Sequence, residues 1–319
     1  MTPADSRRLR QGVAALPRRL KPRAKSLIMT VWGDAIAPHG GTVWLGSLIR
    51  LLAPLGLNER LVRTGVLRLV RDGWLAARPI GRRSYYGLTE AGRRVVFGGP
   101  ARRFYAMAPP PWDGRWLLLL AGLDGIDDRR RVELKRELLW LGFGTLAPGV
   151  YAHPRPERAA LDPVLARLDL AGRVQIMGAD AEGAHDLLRR GWNLDALATA
   201  YKRFLDVFRP IRQTLEAPGA GEPVDPETAF ALRILAIHEF RRLVLRDPDL
   251  PAELLPADWA GTAARVLCRN LYRAAEEAAE LHMMSVLETA DGPLPEAAPY
   301  YYERFGGLRD AAQWRRPAA

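Results

Sequence analysis

Arginine side chains recur along one short segment at a spacing that places them on a single helical face. Between residues 59 and 72 the polar positions of this face are Arg60, Arg63, Thr64, Arg68 and Arg71. At 100° per residue, the opposite face carries Leu61, Val62, Gly65, Val66, Leu69 and Val70. Guanidinium groups reach phosphate oxygens and base edges, so the arginine face has the chemistry to bind nucleic acid.

A merely solvated surface is the alternative interpretation of this face. Surface helices normally mix charges of both signs, whereas here only Glu59 and Asp72 oppose the arginines, near the helix ends. Leu67 lies among the arginines, where it could contact a thymine methyl group or mark the edge of the core. The charge distribution favours nucleic acid, because residues 1–100 contain 18 Lys and Arg against 5 Asp and Glu, while the other residues contain 29 against 31.

The elements around this segment predict a winged helix-turn-helix. Apolar spacing from Lys25 predicts a first helix, residues 43–53 a second, and Asn58 caps the arginine-bearing third helix. Residues 74–78 and 84–88 then read as strands joined by a turn at 79–83, and Thr89 caps a further helix. In such a fold the third helix enters the major groove and the wing contacts the flanking backbone or the minor groove.

We expect the DNA contacts to come from the third helix, its cap and the wing. The predicted residues are Asn58, Arg60, Arg63, Thr64, Arg68, Arg71, Arg78, Arg82, Arg83, Ser84 and Tyr85. For at least one of Tyr85 and Tyr86, packing within the strand is the simpler interpretation.

The rest of the chain predicts an α+β multidomain protein. Its predicted parts are a basic flexible N-terminus (1–22), the winged helix (23–100), a hinge (101–111), a ferredoxin-like middle domain (112–180) and an all-α C-terminal domain (181–319). The middle domain follows from strands at 115–122, 149–153 and 173–177, helices at 128–141 and 156–168, and a short strand near Phe143. Predicted caps of the C-terminal helices are Asp195, Asp225 and Asp258.

Signatures of enzymes and metal sites are missing from the sequence. The lone Cys268 has apolar helical neighbours and reads as a core residue, and HEFRR at 238–242 lacks the second histidine of HExxH. We therefore predict no catalytic residue, no metal and no cofactor. The sequence also lacks a signal peptide and any stretch of about 20 apolar residues, which predicts a cytoplasmic protein without membrane contact.

Several long segments resemble the PaaX family, the repressors of bacterial phenylacetic acid catabolism. They read WLGSLIRLLAPLGLNERLVRTGVLRLVRDGWL, GRRSYYGLTEAGRR, WDGRWLLLL, LLWLGFGTLAPGVYAHP, WNLDALATAYKRFL and LAIHEFRRLVLRDPDLPAELLPADWAG. The resemblance covers roughly residues 20 to 285. The resemblance implies a repressor of aromatic-acid catabolic genes that an aryl-CoA, such as phenylacetyl-CoA, releases from its operator. A homodimer is expected, because one winged helix reads only a half-site.

The resemblance also implies a middle domain similar to the small nuclease-fold proteins of CRISPR adaptation. Asp124, Asp127 and Asp128 follow the first predicted strand, where carboxylates could bind a divalent metal for phosphodiester cleavage. The simpler interpretation is a turn residue and a helix cap. A metal-dependent nuclease and an effector-independent DNA-binding protein stay open as alternatives.

An aryl-CoA needs aromatic surface for its ring and guanidinium groups for its phosphates. The residues predicted to supply them are Trp112, Arg115, Trp140, Phe143, Trp192, Tyr201, Arg203, His238, Arg241 and Arg242. For any one of these aromatic residues, packing in the core is the alternative.

Overall fold

Helices and sheets are mixed in this chain, as the α+β prediction requires. The computed structural model describes residues 2–98, 103–106, 111–122, 125–154, 156, 158–180, 184–217 and 224–308. The chain divides into two compact units: unit 1 contains Met1–Met107, Phe204–Arg241 and Ala264–Ala319, and unit 2 contains Ala108–Arg203 and Arg242–Ala263.

The first helix of unit 1, α1 (Pro3–Leu20), replaces the flexible N-terminus that the sequence predicted. Leu9, Val13 and Leu16 are buried, and their spacing places them on one face of this helix. The Thr2 hydroxyl caps the helix by accepting from the Asp5 amide. The prediction was wrong because it weighed the basic composition and overlooked this apolar spacing.

Three further α-helices lie between α1 and the hairpin of unit 1. They are α2 (Ala24–Val31), which continues into a π-helical turn at Trp32–Ile36, α3 (Leu45–Leu52) and α4 (Glu59–Arg71). The helix predicted to begin at Val43 begins later, because strand β1 (Thr42–Trp44) pairs with a strand of the hairpin. The predicted cap of α4 is confirmed, since Asn58 Oδ1 accepts from the Leu61 amide at 2.9 Å.

The hairpin consists of β2 (Leu75–Ile80) and β3 (Arg83–Leu88), and α5 (Glu90–Phe97) follows it. The three strands form an antiparallel sheet in the order β1-β3-β2. Gly81 adopts φ 57° in the tight turn before β3, a region that favours glycine. Thr89 caps α5 as predicted, with its hydroxyl accepting from the Gly92 amide.

Unit 2 contains a four-stranded antiparallel sheet in the order β5-β6-β4-β7. Its elements are β4 (Arg115–Leu120), α6 (Asp128–Trp140), β5 (Gly144–Ala147), β6 (Val150–His153), α7 (Arg158–Arg167) and β7 (Gln175–Asp180). Strand β5 confirms the short strand expected near Phe143. Leu119, Leu134 and Leu161 lie in the core of this part and are fully buried.

The remaining described elements are mainly helical. They are α8 (Ala184–Gly191), α9 (Leu194–Leu215), α10 (Pro226–Val244), α11 (Ala260–Val286), the short strands β8 (Glu288–Thr289) and β9 (Gly292–Pro293), and α12 (Pro299–Tyr302). Asp225 caps α10 as predicted, but the side chain that caps α9 is Asn193, not Asp195. Among the described residues, no helix is long and apolar enough to cross a membrane.

Candidate nucleic-acid interface

Helix α4 buries its apolar face close against α2. Val62, Val66 and Leu69 are buried, and a Cβ added to Gly65 would lie 2.5 Å from Ile28 Cδ1. A larger residue at position 65 would therefore force the Ile28 side chain to shift. Close packing of one face leaves the opposite face of α4 directed outward.

The outward face of α4 carries the predicted arginines. Arg60, Arg63, Thr64, Arg68 and Arg71 are all exposed. Two apolar residues are exposed with them: Leu67 at 64% and Leu61 at 43%. The assignment of Leu61 to the core was wrong, since this residue is exposed.

Most of these arginines have no carboxylate partner among the residues that the structure describes. Arg63 pairs with Glu59 one turn earlier, with Nε 2.8 Å and Nη2 2.7 Å from the same carboxylate oxygen. Within the described ranges, no carboxylate lies at ion-pair distance from Arg60, Arg68 or Arg71. Uncompensated guanidinium groups on a rigid helix are available for phosphates or base edges.

The arginines of the hairpin differ in their contacts. Arg78 and Arg82 are exposed, and Arg82 lies in the turn. Arg83 instead lies 4.1 Å above the Trp44 ring and donates to Glu288 Oε2 at 2.8 Å. Hydrogen bonds to Tyr85 and Glu288 raise the pKa of Arg83 above its ordinary value. The guanidinium of Arg83 is therefore held in place next to the sheet.

The other predicted DNA contacts have structural surroundings of their own. Tyr85 is only 5% exposed and lies opposite Trp44 in the β1–β3 register, so it packs within the sheet. Ser84 is half-buried opposite Pro79. The Asn58 side chain is occupied by capping α4.

Sequence reasoning missed Trp44, Arg50 and Glu288. Glu288 accepts from Arg50 Nη2 at 2.7 Å as well as from Arg83, and these hydrogen bonds hold the pKa of Glu288 below its ordinary value. Arg50 lies 5.2 Å from the Trp44 ring. No local pattern could reveal this cluster, because Glu288 is more than 200 residues from its partners.

A second group of arginines lies buried inside unit 1. Arg233 Nε donates to Asp34 Oδ2 at 2.9 Å, and its Nη1 donates to Glu280 Oε1 at 2.5 Å. Arg304 Nη1 donates to the Asp34 carbonyl at 2.9 Å and to Tyr272 Oη at 2.7 Å. We refer to Asp34, Arg233, Glu280, Tyr272 and Arg304 as the buried ion network.

In the buried ion network, the arginine side chains pair with carboxylates. Burial alone would raise the pKa of Glu280, but the Arg233 charge and the hydrogen bond from His39 outweigh it and lower that pKa to about 2. Burial would lower the pKa of Arg233, and the Asp34 charge raises it well above its ordinary value instead. Glu280 and Arg233 therefore stay ionised inside the protein, and their hydrogen bonds connect distant segments of unit 1.

Models of one family match most of the chain. The model described as "PaaX-like protein" matches residues 23–92, the "PaaX protein central Cas2-like domain" matches 109–189, and the "PaaX-like protein C-terminal domain" matches 192–285. A curated relative, the Transcriptional repressor PaaX of Escherichia coli (strain K12), is 40% identical over 289 residues, which are 89% of this chain and 90% of the relative. The chain belongs to the PaaX family.

A solved structure is also similar to this PaaX family member. It is the uncharacterized protein Rv0674 from Mycobacterium tuberculosis, with a TM-score of 0.54 and 27% sequence identity. The similarity covers 82% of this chain and 98% of that one.

The acidic residues of the region that matches the PaaX central domain are consistent with the simpler interpretation. Asp127 caps α6 by accepting from the Arg130 amide at 2.9 Å, and this backbone hydrogen bond lowers the pKa of Asp127. Asp128 pairs with Arg131. Asp124 lies outside the described residues. Among the described residues, no group of three or more His, Cys, Asp or Glu is placed to hold a metal ion.

Two of the residues predicted to bind an effector line different cavities of unit 2. In unit 2, Trp112 and Trp192 flank Trp116 at ring distances of 5.8 and 6.1 Å. Arg115 lines a cavity of about 340 Å³, and Trp192 lines a different one of about 500 Å³. Trp140 is 52% exposed and Phe143 is 2% exposed.

The other residues predicted to bind an effector differ in burial and in the groups that they contact. Tyr201 is buried in unit 2 and donates to Asp247, while Arg203 and Arg242 are exposed. His238 and Arg241 belong to unit 1, where both contact the Thr30 hydroxyl.

The predicted core position of Cys268 is confirmed: it is buried, and burial raises the pKa of its thiol.

Proposed function

We propose that this PaaX family member is a transcriptional repressor that binds operator DNA through α4 and the hairpin β2–β3. The observation that carries the proposal is the outward row of arginines on α4, most of which have no carboxylate partner among the described residues. The curated relative, 40% identical, bears the name of a transcriptional repressor.

The proposed module is a winged helix, with α4 in the major groove. The order α3, α4, β2, β3 and the antiparallel sheet with β1 support this fold. Arg63 and Arg68 are proposed to reach base edges, and Arg82 in the hairpin turn to contact phosphate or the minor groove. The other contacts proposed from the sequence are Asn58, Arg60, Thr64, Arg71, Arg78, Arg83, Ser84 and Tyr85.

The middle of the chain is proposed to be ferredoxin-like. The element order β4-α6-β5-β6-α7-β7 and the sheet order β5-β6-β4-β7 support that fold. We propose no catalytic role for it, because Asp127 is occupied as a helix cap and Asp128 pairs with an arginine. Metal-dependent nuclease activity is the competing function.

We further propose that an aryl-CoA, phenylacetyl-CoA in the first instance, releases the repressor from a phenylacetate-type catabolic operon. The family resemblance supports the effector, and its contacts proposed from the sequence are the ten residues given above. We propose that a homodimer reads a two-fold operator, since one module would cover a single half-site.

An electrophoretic mobility shift on the DNA upstream of the chain's own gene tests these proposals together. We expect a specific complex that phenylacetyl-CoA dissolves and DNA that stays intact in magnesium. Cleaved DNA would favour the nuclease, a complex that ignores the CoA ester would favour effector-independent binding, and absence of a complex would reject the repressor proposal.

A further inference from the structure

A cavity of about 480 Å³ lies inside unit 1, next to the helix that follows the hairpin. A volume in this range is typical of small-molecule sites. The residues that bear on its chemistry are Val96, Phe97, Tyr105, Ala106, Tyr300 and Arg304. Val96 and Phe97 lie at the end of α5, and Tyr300 lies in α12.

The walls of this cavity suit a flat aromatic group. The Phe97 and Tyr300 rings meet edge to face, with centroids 5.7 Å apart. Val96 and Ala106 add aliphatic surface. Aromatic rings prefer such edge-to-face or offset neighbours, so a phenyl ring could join the pair without displacing either residue.

The polar contribution comes from Arg304, which is only 5% exposed. Nη1 is occupied by the Asp34 carbonyl and Tyr272, and Nη2 donates to the Gly33 carbonyl at 3.2 Å. Nε–H and the second Nη2 N–H have no acceptor among the described residues. These N–H groups are available to an acceptor such as a carbonyl oxygen.

The charges around the cavity favour a neutral acyl group over a free acid. Asp34 already pairs with the Arg304 guanidinium, so the cavity offers donors without an unbalanced positive charge. Glu303 also lines the cavity and is exposed, and its carboxylate would repel that of a free acid. A thioester carbonyl accepts hydrogen bonds and carries no charge.

We propose that this cavity binds the aryl-acyl group of an aryl-CoA thioester, with the ring beside Phe97 and Tyr300 and the carbonyl oxygen facing Arg304. The inference rests on the proposed function, because it gives the effector proposed there a location. That location differs from the residues predicted from the sequence.

Helix α5 connects the cavity to the DNA-binding elements. The Thr89 hydroxyl at its start donates to the Gly73 carbonyl at 2.6 Å, and the Thr89 amide donates to the Trp74 carbonyl at 3.1 Å. A Cβ on Gly92 would lie 2.1 Å from that Trp74 carbonyl, so α5 packs directly on the turn between α4 and β2. A ligand that contacts Val96 and Phe97 would therefore act on a helix that packs against the hairpin and the end of α4.

Isothermal titration of the full chain with phenylacetyl-CoA tests the location. Ala106→Trp fills the cavity from an exposed position, Tyr300→Ala removes one ring, and Tyr300→Phe preserves it. We expect the first two variants to raise the dissociation constant at least about tenfold, and Tyr300→Phe to bind like wild type. Ala14→Trp, the same exchange at an exposed position of α1, is the matched control and should bind normally.

Arg115→Ala tests the other cavity that Arg115 lines in unit 2. Normal phenylacetyl-CoA binding by Arg115→Ala, together with weak binding by Ala106→Trp, supports the proposal. Wild-type affinity in Ala106→Trp and Tyr300→Ala would overturn it, as would weak binding confined to Arg115→Ala. A wild-type chain that binds DNA but no phenylacetyl-CoA would reject the effector itself. A mobility shift adds a second readout, since Ala106→Trp should form an operator complex that phenylacetyl-CoA no longer dissolves.

Discussion

Unit 1 uses the same residue type in two opposite environments. Arg68 and Arg71 on α4 are exposed and have no carboxylate partner among the described residues, whereas Arg233 and Arg304 are buried and paired with Asp34. The buried guanidinium groups hold helices together, and the exposed ones have their hydrogen-bonding capacity free for a polyanion. In an arginine-rich chain, burial and pairing therefore separate structural arginines from candidate binding residues.

The largest expected effect comes from removing Arg233 from its buried ion pairs with Asp34 and Glu280. Arg233→Met should destabilise the protein by about 3–5 kcal/mol, because Asp34 and Glu280 would remain buried without their partner. Urea unfolding of the full chain measures this loss. The matched control, Arg68→Met on the exposed face, should change stability by less than about 0.5 kcal/mol. Equal losses in both variants would abolish the distinction between the two groups of arginine.

Acid should weaken the buried network through Glu280. Its pKa is about 2 in the folded protein against an ordinary value of 4.5, so its stabilisation is complete above about pH 4.5 and is lost as pH falls towards 2. That difference corresponds to about 3 kcal/mol. Unfolding free energies measured from pH 6 to pH 2.5 should fall more steeply for wild type than for Glu280→Gln. Parallel pH profiles would contradict this role of Glu280.

On the exposed face, Arg63→Ala should reduce operator affinity by about 1–3 kcal/mol and relax the sequence preference, because a base contact is lost. Fluorescence anisotropy with the operator and with singly substituted operators measures both effects. Glu59→Gln removes the intrahelical partner of Arg63 and preserves the guanidinium, so it should retain the sequence preference. Unchanged preference in Arg63→Ala would assign this arginine to the solvated surface.

The smallest expected effect belongs to the hairpin turn. Arg82→Ala should weaken binding to all sequences alike and reduce the slope of log affinity against log salt by about one, as expected for one lost phosphate contact. Titrations from low to moderate salt give the slope. Arg158→Ala, at an exposed position of α7 in unit 2, should leave the slope unchanged.

Local signals predicted the parts of the fold that depend on local chemistry. The caps at Asn58, Thr89 and Asp225 were confirmed, because a side chain that accepts from an amide three residues later is readable from sequence. The helix α1 was missed, since three apolar residues were outweighed by a basic composition. Strand β1 was also missed, because its pairing with β3 involves residues more than 40 positions away.

In the candidate site, too, some features follow from the local sequence and others depend on distant segments. The arginine face of α4 follows from a 100° periodicity, and the structure exposes each polar residue predicted there. The anchoring of Arg83 by Trp44 and Glu288 depends on distant segments that meet only in the folded chain. The ten predicted effector residues were chosen for their aromatic or charged chemistry, and composition contains no information on which side chains meet.

The central claim is that the exposed arginines of α4 bind DNA and contribute little to folding. One triple variant tests it most directly: Arg63→Ala, Arg68→Ala and Arg71→Ala in the full chain, measured by operator binding and by urea unfolding. We predict a loss of operator affinity of at least about 100-fold, equivalent to about 2.7 kcal/mol, with an unfolding free energy within about 1 kcal/mol of wild type. Wild-type operator affinity in this stably folded variant would contradict the account.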